Sequence, residues 1–172
     1  MSSHNPGSYL LLLELSSSRT IQVGKLGSFL FPAGWYVYAG SALGGLEARV
    51  ARHQRPSSVR RWHLDYLRAE AIIEDAVLFP GPGRRECELA RALLAMPGAS
   101  IPAPRFGASD CRCPTHLVRF SARPSLEFIA AASGGAPLAR LANEDSRGWG
   151  QEHDQQDVEG RDGGDQRKVG YP

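Results

Sequence analysis

The alternation of apolar and polar positions near the N-terminus predicts an antiparallel β-meander. Residues 9–15 form an almost continuous apolar run, which is typical of a buried strand, and residues 20–23 are β-favouring and follow a serine-rich turn. We expect these two runs to pair as a hairpin. The aromatic-rich residues 35–38 predict a third strand that closes the meander and ends at Gly40.

Helical periodicity begins after Gly44-Gly45. Leu46 and Val50 share one face of the predicted helix and should pack on the core, whereas Arg49 and His53 share another face, which should reach outward. The remaining expected elements are a short helix over 62–67, a strand over 71–79, a helix over 86–96 with Leu89 and Leu93 on its core face, and a short strand over 116–120.

The chain changes character after about residue 122. We expect one domain over 7–122 and a partly helical extension over 123–142, which glycines and a proline interrupt. Residues 143–172 are rich in Gly, Asp, Glu, Gln and Arg and offer little apolar surface to offset the entropy of ordering. They predict a disordered tail.

Composition narrows the class of protein. The chain has 172 residues, of which 42% are hydrophobic and 22% charged, as in an ordinary globular domain. The apolar run around Leu10 is interrupted by Glu14 and is far too short to span a membrane. Three cysteines are an odd count, which argues against a disulfide framework, so we expect a cytoplasmic protein with no membrane partner.

Charge is concentrated in one stretch. Residues 49–68 contain six arginines and two histidines but a single acid, Asp65, and lack the glutamates that usually pair with basic residues on a surface helix. This density favours a phosphate or nucleic-acid contact surface over a plain solvated face. The candidate DNA-binding residues are Arg49, Arg52, Arg55, Arg60, Arg61 and His63.

Four polar groups stand at the ends of predicted elements: Tyr9, Tyr38, Arg49 and Glu86. Together they suit metal-assisted phosphodiester hydrolysis, since a carboxylate holds a hard cation and a guanidinium neutralises phosphate charge. Taken singly, each has an ordinary structural role.

Four short sequence motifs occur along the chain in an order that resembles a known superfamily. GSY, YAG, an R-x3-H helix and E-x2-L occur in sequence, and GWYVYAGSALGGLEARVARH, RWHLDYL, ECELA and FGASDCRCPTHL accompany them. From about Gly7 to Phe120 the chain resembles the GIY-YIG nuclease superfamily and is similar to its small stand-alone, Uri-type group, long catalogued as a domain of unknown function. The resemblance implies an α+β fold with a three-stranded antiparallel sheet flanked by helices.

The same resemblance implies roles for residues. Glu86 would be the single ligand of Mg²⁺ or Mn²⁺, preferred over Glu88 because Leu89 lies three positions after it. Arg49 would bind phosphate, Tyr9 or Tyr38 would act as general base or orient water, and His53 would support them. A base role requires nearby Arg or metal charge to lower the tyrosine pKa from about 10.

The chain departs from the superfamily pattern in two respects. Ser8 and Ala39 replace the central isoleucines of the motif, which is a change in packing. The two tyrosines are widely spaced, so an additional strand or loop must lie between them, and the partner of Tyr9 across the sheet is less certain.

A second group of candidate ligands is Asp110, Cys111, Cys113 and His116. The C-x-C-x2-H spacing offers few and crowded ligands for tetrahedral zinc. We therefore expect the thiols to pack under the sheet, with His116 or Asp110 holding the loop at the rim of a cleft.

The sequence as a whole predicts a metal-dependent DNA endonuclease that hydrolyses backbone phosphodiesters by activated water. Two other classes stay open. One is a non-catalytic nucleic-acid-binding module that uses the arginine-rich helix, and the other is a zinc-stabilised interaction domain built on Cys111, Cys113 and His116.

Overall fold

The first apolar run forms a nine-residue strand that lies at the centre of an antiparallel sheet. In the computed structural model, which describes residues 5–55 and 57–133, this strand pairs with one neighbour along its whole length and with the other from Gly7 to Glu14. The elements in chain order are β1 (Gly7–Leu15), β2 (Arg19–Val23), β3 (Gly27–Phe31), β4 (Gly34–Ala42), α1 (Leu46–Gln54), α2 (His63–Arg68), β5 (Ile72–Pro80), α3 (Glu86–Leu94), β6 (Leu117–Phe120) and α4 (Leu126–Ala132).

The sheet has four strands in the order β5-β1-β4-β6, all antiparallel, so the expected three-stranded sheet is wrong. The expected hairpin of residues 9–15 with 20–23 is also wrong, because β2 pairs with β3 in a separate two-stranded sheet. The reason lies in burial. β1 and β4 both have nine residues and are buried along almost their whole length, so they can pair inside the protein. β2 is shorter and has several exposed positions, so it does not fit a strand that is buried on both faces.

Both faces of β1 are covered, which explains why its sequence does not alternate. Leu11 and Leu13 belong to one core cluster with residues of α1 and α2, while Leu10 and Leu12 belong to a second cluster with residues of α3 and α4. The sheet therefore separates two hydrophobic cores.

The expected core faces of the helices are largely confirmed. Leu46 and Val50 of α1, and Leu89 and Leu93 of α3, are fully buried. His53 is the exception, because it is only 3% exposed although it was expected to face outward. It is covered by Tyr9 from β1 and by Trp62, the residue that precedes α2.

The boundaries of the domain organisation remain predictions. α4 contributes Leu126 and Ile129 to the second core cluster, so packed structure continues beyond residue 122. The last part of the expected extension, from residue 134, and the expected tail over 143–172 lie outside the described residues. Strand β4 also runs two residues beyond the expected end at Gly40, because Gly7 and Ser8 continue the ladder opposite it.

Candidate active site

A cavity of about 370 Å³ lies at the end of the sheet, between residues of β1, β4, α1 and α3. The five residues that were expected to be catalytic all line it, although they come from four different elements. They are Tyr9, Tyr38, Arg49, His53 and Glu86.

The two tyrosines lie on adjacent strands and on the same face of the sheet. Tyr9 is opposite Gly40 and Leu11 is opposite Tyr38, so the tyrosine rings are diagonal neighbours with centroids 6.4 Å apart. Their wide spacing in the sequence is accounted for by the β2–β3 hairpin, as expected. Gly40 permits this approach, since a Cβ there would lie 2.5 Å from the hydroxyl oxygen of Tyr9.

Tyr9 and His53 form a buried pair. The Tyr9 hydroxyl oxygen lies 3.0 Å from Nε2 of His53. Burial raises the pKa of Tyr9 to about 12, although the charges of Arg49 and Arg52 act in the opposite direction. The arginines therefore do not bring the phenol below its ordinary pKa, as a preformed tyrosinate would require. Burial raises the pKa of Tyr38 as well.

The protonation states of this pair follow from burial. Burial lowers the pKa of His53 to about 4, against the charge of Asp65, which acts to raise it. At neutral pH the imidazole is therefore neutral and the phenol keeps its proton. Nδ1 of His53 faces Oδ1 of Asp65 at 3.9 Å and makes no hydrogen bond within the described residues. We assign the ring proton to Nδ1, so that the Tyr9 hydroxyl donates to Nε2.

Asp65 is held rigidly behind the imidazole. Arg52 donates to both carboxylate oxygens at 3.2 and 3.1 Å, and the backbone N–H groups of Arg61 and Trp62 donate to Oδ2 at 2.7 and 3.0 Å. Burial acts to raise the pKa of Asp65, but these hydrogen bonds outweigh it and hold the pKa below its usual value. A carboxylate thus stays charged beside His53.

Trp62 organises the basic side of the cavity. The guanidinium carbons of Arg49, Arg52 and Arg61 lie 4.4, 3.9 and 5.5 Å from the centre of the indole ring. Arg49 therefore contacts an aromatic face at the cavity, and it forms no ion pair with a carboxylate of residues 5–55 and 57–133.

Glu86, the first residue of α3, is positioned by two serines. Ser41 donates its only proton to the Glu86 carboxylate, so the 2.7 Å contact between Ser8 and Ser41 requires Ser8 to be the donor. The backbone N–H of Arg85 in turn donates to the Ser8 oxygen at 2.8 Å. Glu88 is exposed instead and accepts hydrogen bonds from Arg85.

Three cysteines and a histidine form a cluster beside this cavity, and the expectation of too few metal ligands is wrong. Cys87, the second residue of α3, joins Cys111, Cys113 and His116, and the four ligand atoms all lie within 4.8 Å of one another. This group can hold a metal ion. Soft thiolates suit other metals than Mg²⁺ or Mn²⁺.

Comparison with known protein families gives a match to the chain. The model of a family described as "Domain of unknown function DUF123" matches residues 8–135, about three quarters of the sequence. The chain belongs to the DUF123 family. No curated protein and no solved structure matches it. Within residues 5–55 and 57–133 of this DUF123 chain, no helix has the length and apolar character needed to cross a membrane.

The candidate DNA-binding residues of the DUF123 chain have different surroundings, since some line a cavity and others are engaged by neighbouring residues. Arg55 and Arg60 line a second cavity of about 420 Å³, and His53 lines both this cavity and the first. Arg52 is engaged by Asp65, as described above. His63 accepts a hydrogen bond from the backbone N–H of Gly107 at 3.0 Å through Nδ1, and so it fixes a loop.

Several residues of the site were not predicted from the sequence. In the sequence, Asp65 stands out only as the single acid of a basic stretch and Ser8 only as a change in packing, and no pattern singles out Ser41. The signal for Cys87 was present as the third cysteine, but its distance along the chain from Cys111 concealed their proximity. Each of these residues acquires its position from a contact between elements that are distant in sequence.

Proposed function

We propose that this DUF123 protein is a metal-dependent endonuclease that hydrolyses phosphodiester bonds of DNA. The observation that carries the proposal is the convergence of Tyr9, Tyr38, Arg49, His53 and Glu86 on one cavity. These are the residues at which the sequence resembles GIY-YIG nucleases. A buried phenol–imidazole pair can accept a proton from an attacking water, and an arginine and a carboxylate-bound cation can stabilise the charge that develops on a phosphate.

The Tyr9–His53 pair supports a proton relay. As a water molecule attacks the phosphorus atom, its proton passes to the Tyr9 oxygen while the Tyr9 proton passes to Nε2 of His53. The phosphorus–oxygen bond to the leaving group breaks, and that oxygen takes a proton from solvent. Such a relay needs no free tyrosinate, and this matters because the pKa of Tyr9 is about 12.

Asp65 supports the same step from behind. When His53 accepts a proton, its Nδ1–H faces a carboxylate at 3.9 Å, which stabilises the imidazolium. Because Arg52 and two backbone N–H groups fix Asp65, the carboxylate need not reorganise as charge develops. Asp65 is thus a positioning residue that acts through His53.

Arg49 is the proposed phosphate-binding cation. It lines the cavity beside the tyrosines and rests on the face of Trp62. A guanidinium held in this way can donate to two phosphate oxygens as negative charge builds on them.

The donor chemistry around Glu86 fits a hard cation. Glu86 lines the cavity together with Asp110, Tyr9 and Tyr38, and Mg²⁺ is commonly held by one or two carboxylates with substrate phosphate and water. Bound there, Mg²⁺ or Mn²⁺ would neutralise phosphate charge and acidify water. Ser41 and Ser8 would keep the Glu86 carboxylate directed into the cavity.

The DNA backbone would cross from this cavity to the second one. Arg55, Arg60 and Arg61 are exposed, so their charge is available to phosphates, and Arg55 and Arg60 line the second cavity. Arg52 contributes less than the sequence suggests, since Asp65 neutralises it.

The direct test is a cleavage panel over single-stranded, duplex and branched DNA with Mg²⁺ or Mn²⁺, using the full chain. Cleavage of at least one substrate that stops when the divalent cation is chelated supports the proposal. Salt-dependent binding with no cleavage of any substrate would contradict it and would favour a non-catalytic nucleic-acid-binding module instead.

A further inference from the structure

The Cys87, Cys111, Cys113 and His116 cluster has the dimensions of a tetrahedral metal site. Nε2 of His116 lies 3.6 Å from Sγ of Cys87 and 3.4 Å from Sγ of Cys111. Zinc bonds of about 2.3 Å to sulfur and 2.0–2.1 Å to nitrogen give a sulfur–nitrogen edge of about 3.5 Å in a regular tetrahedron. Both observed edges agree with this value.

The ligands are held in place by contacts independent of any metal. The backbone N–H of His116 donates to Phe106 at 2.7 Å, and its carbonyl accepts from the N–H of Ala39 on β4 at 2.9 Å. The guanidinium of Arg105 donates to the carbonyls of Cys111 and Cys113 at 2.6 and 2.8 Å. Two of the ligands are thus oriented by one side chain and a third is fixed against the central sheet.

The backbone of Arg105 is in an unfavourable conformation, which its contacts with the cluster help to explain. It is the one non-glycine residue with positive φ, 63°, among residues 5–55 and 57–133. The left-handed region is unfavourable for an arginine, which persists there only where the surrounding structure requires it. Here the conformation brings its guanidinium to the carbonyls of the two loop cysteines.

We infer that Cys87, Cys111, Cys113 and His116 bind one Zn²⁺ ion, which ties the start of α3 to the loop before β6. Three thiolates and an imidazole in a tetrahedron select zinc over Mg²⁺ or Mn²⁺. All four positions are occupied by protein groups, so the ion is structural and holds no reactive water.

The position of this site indicates that the zinc would stabilise the walls of the neighbouring cavity. Cys87 follows Glu86 directly, and His116 and Asp110 line the same cavity as Glu86. The ion therefore joins two walls of the cavity, one from α3 and the other from the 105–116 loop. This inference does not rest on the proposed nuclease activity, because zinc content is measured without a substrate.

The experiment begins with the full chain purified under reducing conditions without added chelator. Elemental analysis should give about one zinc per chain. After removal of the zinc, added Co²⁺ should produce the visible and near-ultraviolet bands of a tetrahedral cobalt–thiolate site. The three cysteines should alkylate much more slowly in the metal-loaded protein than in the metal-free protein, and strong chelation should lower the midpoint of thermal unfolding by roughly 10 °C or more.

Matched variants localise the ion. Cys87→Ser and Cys111→Ser should each lose most of the zinc and of the cobalt–thiolate absorption. Arg112→Ala removes an exposed residue between two ligands and should retain the full zinc content.

The inference would be overturned by wild-type protein that contains no zinc, develops no thiolate band with Co²⁺ and alkylates at three cysteines equally fast with and without Zn²⁺. A Cys111–Cys113 disulfide in the protein kept under reducing conditions would overturn it as well. These results come from the wild-type chain, so they stand even if a cysteine variant fails to fold.

Discussion

The hydroxyl oxygen of Tyr9 lies 3.0 Å from Nε2 of His53, and the pKa values of the two groups are displaced in opposite directions. Burial favours the neutral form of each, so a phenol with a proton faces an imidazole with a free lone pair. In the proposed reaction this pair moves a proton without first ionising either partner.

A pH dependence follows from the pKa of His53. The charged groups that face it are Asp65, which raises its pKa, and Arg52, Arg49 and Arg68, which lower it. With a pKa of about 4, His53 is neutral above about pH 5 and can accept a proton. We expect the acidic limb of kcat/KM to fall with a midpoint near pH 4, and nuclear magnetic resonance titration of the His53 ring to give the same midpoint. A midpoint near 6.5 in both measurements would contradict the assignment.

The same shift predicts a loss of stability in acid. An unfolded histidine has a pKa of about 6.5, so between pH 6.5 and 4 the unfolded state binds more protons and stability falls as the pH is lowered. From pH 7.5 to pH 5 the contribution of His53 amounts to about 2 kcal/mol. Chemical unfolding of wild type and His53→Gln at both pH values isolates this contribution, which the variant should lack. An equal loss in both proteins would show that other groups cause it.

Gly40 tests whether the position of the Tyr9 hydroxyl matters. Gly40→Ala introduces a Cβ 2.5 Å from that oxygen and displaces the ring. A shift of about 1 Å in a reacting group can cost a hundredfold, so we expect cleavage to fall by about tenfold to a hundredfold while DNA affinity changes little. Gly83→Ala is the control, because a Cβ there meets nothing within 4 Å. Full activity of Gly40→Ala would remove Tyr9 from the relay.

The sequence predicted the parts of this site that depend on local pattern. The helical spacing of Leu89 and Leu93 predicted helix α3. The order of short sequence motifs identified Tyr9 and Glu86 as candidate site residues. The pairing of strands was predicted less well, because β1 carries apolar residues on both faces and its pattern does not indicate which strand is its neighbour.

The remaining parts depend on long-range contacts that no local pattern reports. Asp65 reaches His53 only because α2 packs beside α1, and Ser8 reaches Ser41 only through the register of β1 with β4. Cys87 meets the loop cysteines through the packing of α3. In each case the residue type was visible in the sequence but its partner was not.

Ser8 should affect the rate more than substrate binding. Ser8→Ala removes the proton donor to Ser41 and the acceptor for the Arg85 N–H, which loosens the Glu86 carboxylate. Because the carboxylate then loses its orientation, we expect kcat to fall by at least about tenfold, with KM for DNA unchanged and more Mg²⁺ needed for half-maximal rate. Ser28→Ala, at an exposed position of β3, should behave as wild type. A change in KM alone would show that Ser8 does not act through Glu86.

Salt dependence tests the DNA-binding surface. The logarithm of the affinity for duplex DNA should fall linearly with the logarithm of salt concentration, with a slope of about 0.9 per phosphate contact. Replacing both Arg60 and Arg61 by Gln should flatten this slope, whereas Arg91→Gln, an exposed position on α3, should not. An unchanged slope in the double variant would place the DNA on another surface.

The central claim, that Glu86 holds the cation of a nuclease, is tested most directly by comparing cleavage by Glu86→Ala and Glu88→Ala. Both residues lie in the first turn of α3, but only Glu86 lines the cavity, whereas Glu88 is exposed and pairs with Arg85. We predict that Glu86→Ala binds DNA like wild type but cleaves it about a thousandfold more slowly, and that Glu88→Ala cleaves normally. Cleavage at the wild-type rate by Glu86→Ala would contradict the account.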